Sequence, residues 1–251
     1  MDNTSRFTGL ASVYDAGRPT YAKALISYLY DTAGLKPTDT VADIGCGTGK
    51  WSAQLLAQGN TVYGVEPNDD MRHQAASLAM KYPSYHLVKG TAEATTLQSS
   101  TIDWVTAAQA FHWFDPLSFR NECQRILKPT GKAALIWNIR DQSAPVHQDS
   151  YEIYKTFCPQ FKGFHNGLMH DDSRIQTFFG GPYTYISFAN PLCYTEDTFL
   201  KRHLSNSYSL RPTDAAYPAF VQALRQLFHR YAKDGSVTVP CQTVAYIGTI
   251  L

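Results

Sequence analysis

Between an apolar run, Thr40-Val41-Ala42-Asp43-Ile44, and a segment of helical composition starting at Lys50, the chain places Gly45-Cys46-Gly47-Thr48-Gly49. No other stretch restricts the fold as strongly. A short apolar run bounded by glycines reads as a buried strand. Glycines spaced two apart let the backbone turn sharply and come close to a ligand before a helix opens. The spacing is G-x-G-x-G, one residue tighter than the G-x-G-x-x-G of dinucleotide-binding turns, and Asp43 stands two residues before the first glycine. A buried acid there suits a ligand carrying an ammonium group better than a pyrophosphate. Glu66 closes the next apolar run, Thr61–Val65, 17 residues after Gly49. A carboxylate in that position can accept both hydroxyl protons of a ribose.

The same rhythm continues. Apolar spacing predicts a helix over Tyr21–Tyr30, a break at Leu35-Lys36-Pro37, a helix from Lys50 to Gln58 stopped by Gly59-Asn60, and a helix through Met71–Met80 capped by Asn68. Strands are expected at Tyr85–Val88, Ile102–Thr106 and Ala133–Trp137, with a helix over Asp115–Leu127. Alternation of this kind specifies a parallel sheet with helices on both faces. Right-handed crossovers then gather the loops starting at Gly45, Glu66, Gly90 and Ala108 along one sheet edge, where open α/β sheets bind ligands. Past Asp141 the rhythm breaks. Asp141–Gly181 reads as helical and aromatic, Tyr183–Tyr194 as a strand, Glu196–Leu204 and Ala215–Tyr231 as helices, and Val244–Leu251 as a last strand. Its regular pairing is expected only after Pro240, which has no N–H to give.

Composition narrows the classes. The chain has 251 residues, 22 Lys+Arg against 21 Asp+Glu, and 44% hydrophobic positions. That content excludes disorder, and a net charge of +1 without a basic run argues against a nucleic-acid partner held through phosphates. The start carries Asp2, Arg6, Asp15, Arg18 and Lys23, unlike a signal peptide. The longest uncharged run, Ile175–Thr195, contains Gly180-Gly181-Pro182 and does not read as a membrane span. Five scattered cysteines without a CxxC fit a reducing compartment, so the expectation is a soluble cytoplasmic protein.

With these residues in view, the chain resembles the class I S-adenosylmethionine-dependent methyltransferases. It is most similar to the small-molecule branch that includes ubiquinone-type and trans-aconitate-type enzymes. Val41–Gly49 matches that family's first motif and Val65-Glu66-Pro67-Asn68 through Met71 its second. Gly90-Thr91-Ala92-Glu93 matches the adenine-binding turn. Ile102-Asp103-Trp104-Val105 through Gln109-Ala110-Phe111-His112-Trp113-Phe114 matches the fourth strand and its loop. Leu127-Lys128-Pro129-Thr130-Gly131-Lys132 is similar to the turn before the fifth strand, with Thr130 replacing a glycine. The resemblance implies a Rossmann-like α/β fold: a seven-stranded, mostly parallel sheet with an antiparallel last strand, helices on both faces and a helical cap. It implies S-adenosyl-L-methionine as cofactor, with Asp43, Gly45, Cys46, Gly47 and Gly49 at its methionine end and Glu66 on the ribose. Pro67, Asn68, Met71, Thr91, Ala92 and Glu93 would line the adenine, and Gln109 and Ala110 would lie beneath the sulfonium.

On the acceptor side, Tyr14, Arg18 and Tyr21 resemble the branch's N-terminal segment, and His112, Trp113 and Trp137 follow the fourth and fifth strands. His112 has the proton affinity to serve as a base, although an acceptor that is already an anion needs none. The expected layout is one domain: a cap over 1–38, a cofactor-binding core over 39–140, a helical lid over 141–181, and completing strands and helices over 182–251. His165, His170, Asp171 and Asp172 superficially suggest a metal cluster, yet lie in a glycine-containing loop without a helix to fix them, and no metal is expected. The function expected is methyl transfer to oxygen or carbon of a small organic acceptor, a carboxylate among the candidates. A catalytically silent cofactor-binding subunit and a nicotinamide-dependent oxidoreductase stand as alternatives. The oligomeric state stays open.

Overall fold

In the computed structural model, residues 20–164, 172–206 and 208–251 are described. Helix α1 (Lys23–Tyr28) runs on into a π turn (Leu29–Ala33) ended by left-handed Gly34. Then come β1 (Thr40–Ile44), α2 (Lys50–Leu56), β2 (Thr61–Val65), α3 (Asp69–Lys81), β3 (Tyr85–Val88) and β4 (Ile102–Ala108). A 3-10 turn (Phe111–Trp113) leads to α4 (Pro116–Ile126) and β5 (Leu127–Arg140). The last third holds α5 (Pro145–Phe157), α6 (Ser173–Phe179), β6 (Tyr183–Ala189), β7 (Leu192–Tyr194), α7 (Glu196–Leu204), α8 (Tyr217–Tyr231), β8 (Val237–Val239) and β9 (Cys241–Gly248).

Seven strands form one sheet in the order β3-β2-β1-β4-β5-β9-β6. The first five are parallel, and β9 runs antiparallel between β5 and β6. Strand order reverses between β1 and β4, so the loops that leave their C-terminal ends part there and open a crevice. Alternate side chains of the central strands serve opposite faces, which is why the strands read as continuous apolar runs. On one face Ala42, Ile44, Val105 and Leu135 pack against Phe119 of α4 and Phe178 and Phe179 of α6. On the other, Val41, Val62, Ala134 and Ile136 pack against Leu25 of α1 and Trp51 and Leu55 of α2. Two smaller apolar clusters join α5, α7, α8 and the β7–β8 ribbon, centred on Tyr154, Phe199, Phe220 and Phe228. They rise from the end of β5 and the start of β9, since Arg140 pairs with Cys241.

Several boundaries differ from those expected. The strand expected over Tyr183–Tyr194 is two strands, β6 in the main sheet and β7 in the ribbon, because Asn190-Pro191 interrupts the ladder. The last strand begins at Cys241, directly after Pro240, and ends at Gly248 rather than Leu251. Strand β5 starts at Leu127, with the register jumping from Ile102↔Leu127 to Trp104↔Lys132 so that Pro129 and Gly131 bulge out. Asp141–Gly181 is not one helical run: α5 belongs to the smaller clusters, whereas α6 lies on the main sheet with Phe178 stacked on Phe119 at 4.8 Å.

Candidate active site

The turn after β1 is built by glycine geometry. Gly45, Gly47 and Gly49 have φ of +68°, +56° and +84°, values that favour glycine. The Gly45 and Cys46 N–H groups donate to the Val65 carbonyl at 2.8 and 3.1 Å, tying the turn to β2. A Cβ on Gly45 would sit 2.7 Å from Ala110 Cβ, so the loop after β4 presses against the turn. A Cβ on Gly47 would meet nothing within 4 Å. The turn therefore offers bare backbone to open space at Gly47 and is packed at Gly45.

Glu66 faces this turn. Its Oε2 accepts from the Gly47 N–H at 3.0 Å and its Oε1 from the Asn68 N–H at 2.9 Å. Arg72 reaches back from α3 to donate to the carbonyls of Glu66 and Pro67 at 2.9 and 2.8 Å. Burial raises the Glu66 carboxyl above its ordinary value, and the two N–H bonds and the Arg72 charge oppose that rise. Asn68 caps α3 by accepting from the Met71 N–H at 3.0 Å, and Met71 is buried against the core below.

Asp43 is fully buried beneath the turn. Ser52 Oγ donates to its Oδ2 at 2.6 Å and Thr106 Oγ1 to its Oδ1 at 3.5 Å. Loss of hydration pushes its carboxyl up to about 7; the hydroxyls of Ser52 and Thr106 counter this, and the nearby Glu66 charge adds to it. The acid expected to touch a ligand is thus held as a brace between β1, α2 and β4. Cys46 is buried with its thiol raised well above the ordinary range by burial and by Asp43 and Glu66, so it is not a nucleophile.

The remaining expected residues are spread more widely. Thr91 and Ala94 exchange backbone hydrogen bonds that form the turn holding buried Ala92, and exposed Glu93 accepts from the Asp115 N–H at 3.2 Å. Gln109 has φ +57°, left-handed for a non-glycine residue, and donates from Nε2 to the Asn138 carbonyl at 2.9 Å. Ala110 is buried at the Gly45 contact. His112 is half-buried, with its ring 4.7 Å from that of Trp113, and Trp113 is exposed. Tyr21 packs edge-on against Trp51 at 5.2 Å. Trp137 is buried in the main core between Phe111 and Tyr246, so its ring lies among core side chains. Tyr14, Arg18, His165, His170 and Asp171 lie outside the described residues. Asp172 caps α6 and pairs with Arg174 at 2.7 Å. Among the described residues no group of three His, Cys, Asp or Glu side chains is placed to hold a metal ion.

Three contributors escaped the sequence. Ser52 and Thr106 brace Asp43 from elements separated by 54 residues, and no local pattern announces such a pairing. Arg72, one turn into α3, was signalled only by its position four after the cap Asn68.

Residues 42–135 match the family described as Methyltransferase domain. An uncharacterized methyltransferase of Schizosaccharomyces pombe is 35% identical over 133 residues, which is 53% of this chain and 52% of that protein. The chain thus spans about half the length of the curated relatives it matches. Among solved structures, a protein from Anaeromyxobacter dehalogenans, provisionally named a type II methyltransferase, superposes with a TM-score of 0.63 at 21% identity, covering 93% of this chain and 98% of that one. A geranyl diphosphate methyltransferase solved in complex with S-adenosylmethionine gives 0.50 at 16% identity, covering 91% and 85%. Those two likenesses concern the fold.

Proposed function

We propose that this chain, whose residues 42–135 match the methyltransferase-domain family, transfers a methyl group from S-adenosylmethionine to a small organic acceptor. The observation that carries this reading is the open glycine turn flanked by two buried carboxylates, Asp43 and Glu66. An anionic pyrophosphate beside these acids would be repelled, which counts against a nicotinamide cofactor. A cofactor bearing an ammonium and a sulfonium is attracted to the same pair.

The residues divide the work. Gly47 exposes its backbone to the amino-acid portion, and Asp43, whose carboxyl is raised to about 7, places negative charge beneath it once the ligand's ammonium favours its ionised form. Glu66, already oriented by Gly47 and Asn68, has lone pairs left for the ribose hydroxyls. Met71, Ala92 and Glu93 lie along the adenine side, while Gln109 and Ala110 form the floor between the turn and β5. The bound cofactor supplies an electrophilic methyl group for in-line displacement. Alignment and exclusion of water by the chain then give most of the acceleration, and His112 contributes to the acceptor pocket. The cap formed by α5, α7 and α8 roofs the acceptor side, and a small acceptor is supported by the absence of a basic stripe in the sequence.

Incubating the purified protein with S-adenosylmethionine labelled in its methyl group and a small-molecule extract tests this. Label should move to an extract component in wild-type protein and not in Glu66→Ala. Binding of the cofactor with no transfer to any extract would instead mark a cofactor-binding subunit.

A further inference from the structure

Where β5 ends, the cap borders a narrow cleft, open to solvent, that shares no lining residue with the glycine turn. Resting on the methyl-transfer reading, we propose that this cleft seats a carboxylate or phosphate group of the methyl acceptor, gripped by Arg140 and Arg202.

Arg140 and Arg202 both line the cleft, and among the described residues no acidic residue does. Every ion pair found among the described residues lies elsewhere, and none engages Arg140 or Arg202. Asp141, whose charge reaches His147, is turned to its own loop, accepting from Ser143 N and Oγ at 3.0 and 2.6 Å. Arg140 is half-buried, with its guanidinium 4.7 Å from the Phe164 ring centre. Two guanidiniums on one cleft repel one another, and the Arg202 charge adds to the burial that disfavours the Arg140 cation, a cost the folded chain carries. An oxyanion between them offsets that cost, and the planar guanidinium fork matches the two oxygens of a carboxylate or phosphate.

The histidines nearby do not add to the positive charge. Burial holds His147 down at about 4 and His203 well below its ordinary value, and the charges of Arg140 and Arg202 push both further down. They stay neutral near pH 7, so the charge of the cleft is that of its arginines.

Position links this cleft to transfer chemistry. Arg140 lies two residues beyond Asn138, whose carbonyl holds Gln109, and Gln109 leads into Ala110 against Gly45. From β1 across β4 to β5 is two strand spacings, roughly 10 Å. Asp43 is level with Thr106 and Ala134, so Arg140 lies six residues, about 20 Å, further along β5 in the direction the glycine turn leaves β1. An acceptor anchored at the arginines therefore extends its reactive atom back along the sheet edge toward the glycine turn.

Calorimetry with inorganic phosphate and with succinate, in the presence of saturating S-adenosylhomocysteine, tests the assignment on wild type, Arg140→Gln and Arg202→Gln. At least one of the two anions should bind wild type saturably, and each substitution should weaken it by about tenfold or more. Which anion binds separates a phosphate from a carboxylate anchor. S-Adenosylhomocysteine affinity is measured on the same samples. If it binds while neither anion does, or both variants bind the anion like wild type, the anion site is wrong and the methyl-transfer reading stands. If the anion binds through the arginines but S-adenosylhomocysteine does not, the failure lies in the methyl-transfer reading. Should Arg140→Gln not fold, the imidazole resonances of His147 and His203 in wild type replace it: bound anion must shift both, and unmoved signals overturn the proposal.

Discussion

The Gly47 N–H donates to Glu66 Oε2 at 3.0 Å, so the carboxylate that closes β2 is latched to the turn that closes β1. This single bond fixes the distance between two binding groups before any ligand arrives. Preorganisation of that kind lowers the ordering cost of binding. Glu66→Gln keeps the shape but turns one acceptor into a donor facing an N–H. Affinity for S-adenosylhomocysteine should fall by about thirtyfold, the equivalent of roughly 2 kcal/mol for a charge-assisted bond, as read by calorimetry. Unchanged affinity would show that the latch serves the fold alone.

Gly45 and Gly47 should respond oppositely to alanine. At Gly45 the new Cβ collides with Ala110, so thermal melting should show a large loss of stability. At Gly47 the added methyl finds open space and only the left-handed φ resists it, a cost of about 1 kcal/mol. Gly47→Ala should therefore fold nearly as well as wild type yet bind S-adenosylhomocysteine poorly, because the methyl occupies the approach to the backbone.

Asp43 makes stability depend on pH. Folded, its carboxyl holds a proton up to about pH 7, while in the unfolded chain it ionises near pH 4. The folded state thus binds more protons in that window, and this group's contribution to stability is lost as pH rises from 4 to 7 and stays lost above. Asp43→Asn removes the buried charge, so it should raise the melting temperature by several degrees at pH 8 and change it little near pH 4. Equal effects at both values would mean that Asp43 ionises normally. The same substitution should weaken S-adenosylhomocysteine binding.

Phe178 tests the packing of α6. Its ring stacks on Phe119 at 4.8 Å and meets Phe111 at 5.3 Å, fully buried. Phe178→Ala should cost about 3–5 kcal/mol in denaturant unfolding. A cost below about 1 kcal/mol would place α6 outside the main core.

The cofactor side of this protein was legible because its signals are local. A strand, a G-x-G-x-G turn and an acid one strand over are written within 27 residues, and Asn68 caps the helix that follows as its residue type suggests. A parallel sheet with helices on both faces could be read from the strand–helix alternation, since both faces of β1, β2 and β4 must be covered; the order of its strands could not. The far half resisted because its determinants are not local. Asn190-Pro191 sends β7 away from the main sheet to meet β8, 45 residues later, and no period in the sequence announces such a partner. Aromatic residues between Tyr151 and Phe179 look alike in sequence, yet Phe178 and Phe179 join the main core while Tyr154 and Phe164 belong beneath the cap. Trp137 likewise sits at the right strand but turns into the core, because alternation along β5 decides its face. Arg140 and Arg202 are 62 residues apart and drew no notice until the cap brought them together.

The most direct measurement is a titration of S-adenosylhomocysteine into wild-type protein by calorimetry, with NADH titrated in parallel. Saturable one-site binding of S-adenosylhomocysteine, with no heat from NADH, is the predicted result. No S-adenosylhomocysteine binding at high protein concentration, or binding of NADH in its place, would contradict the reading of the glycine turn and its two carboxylates.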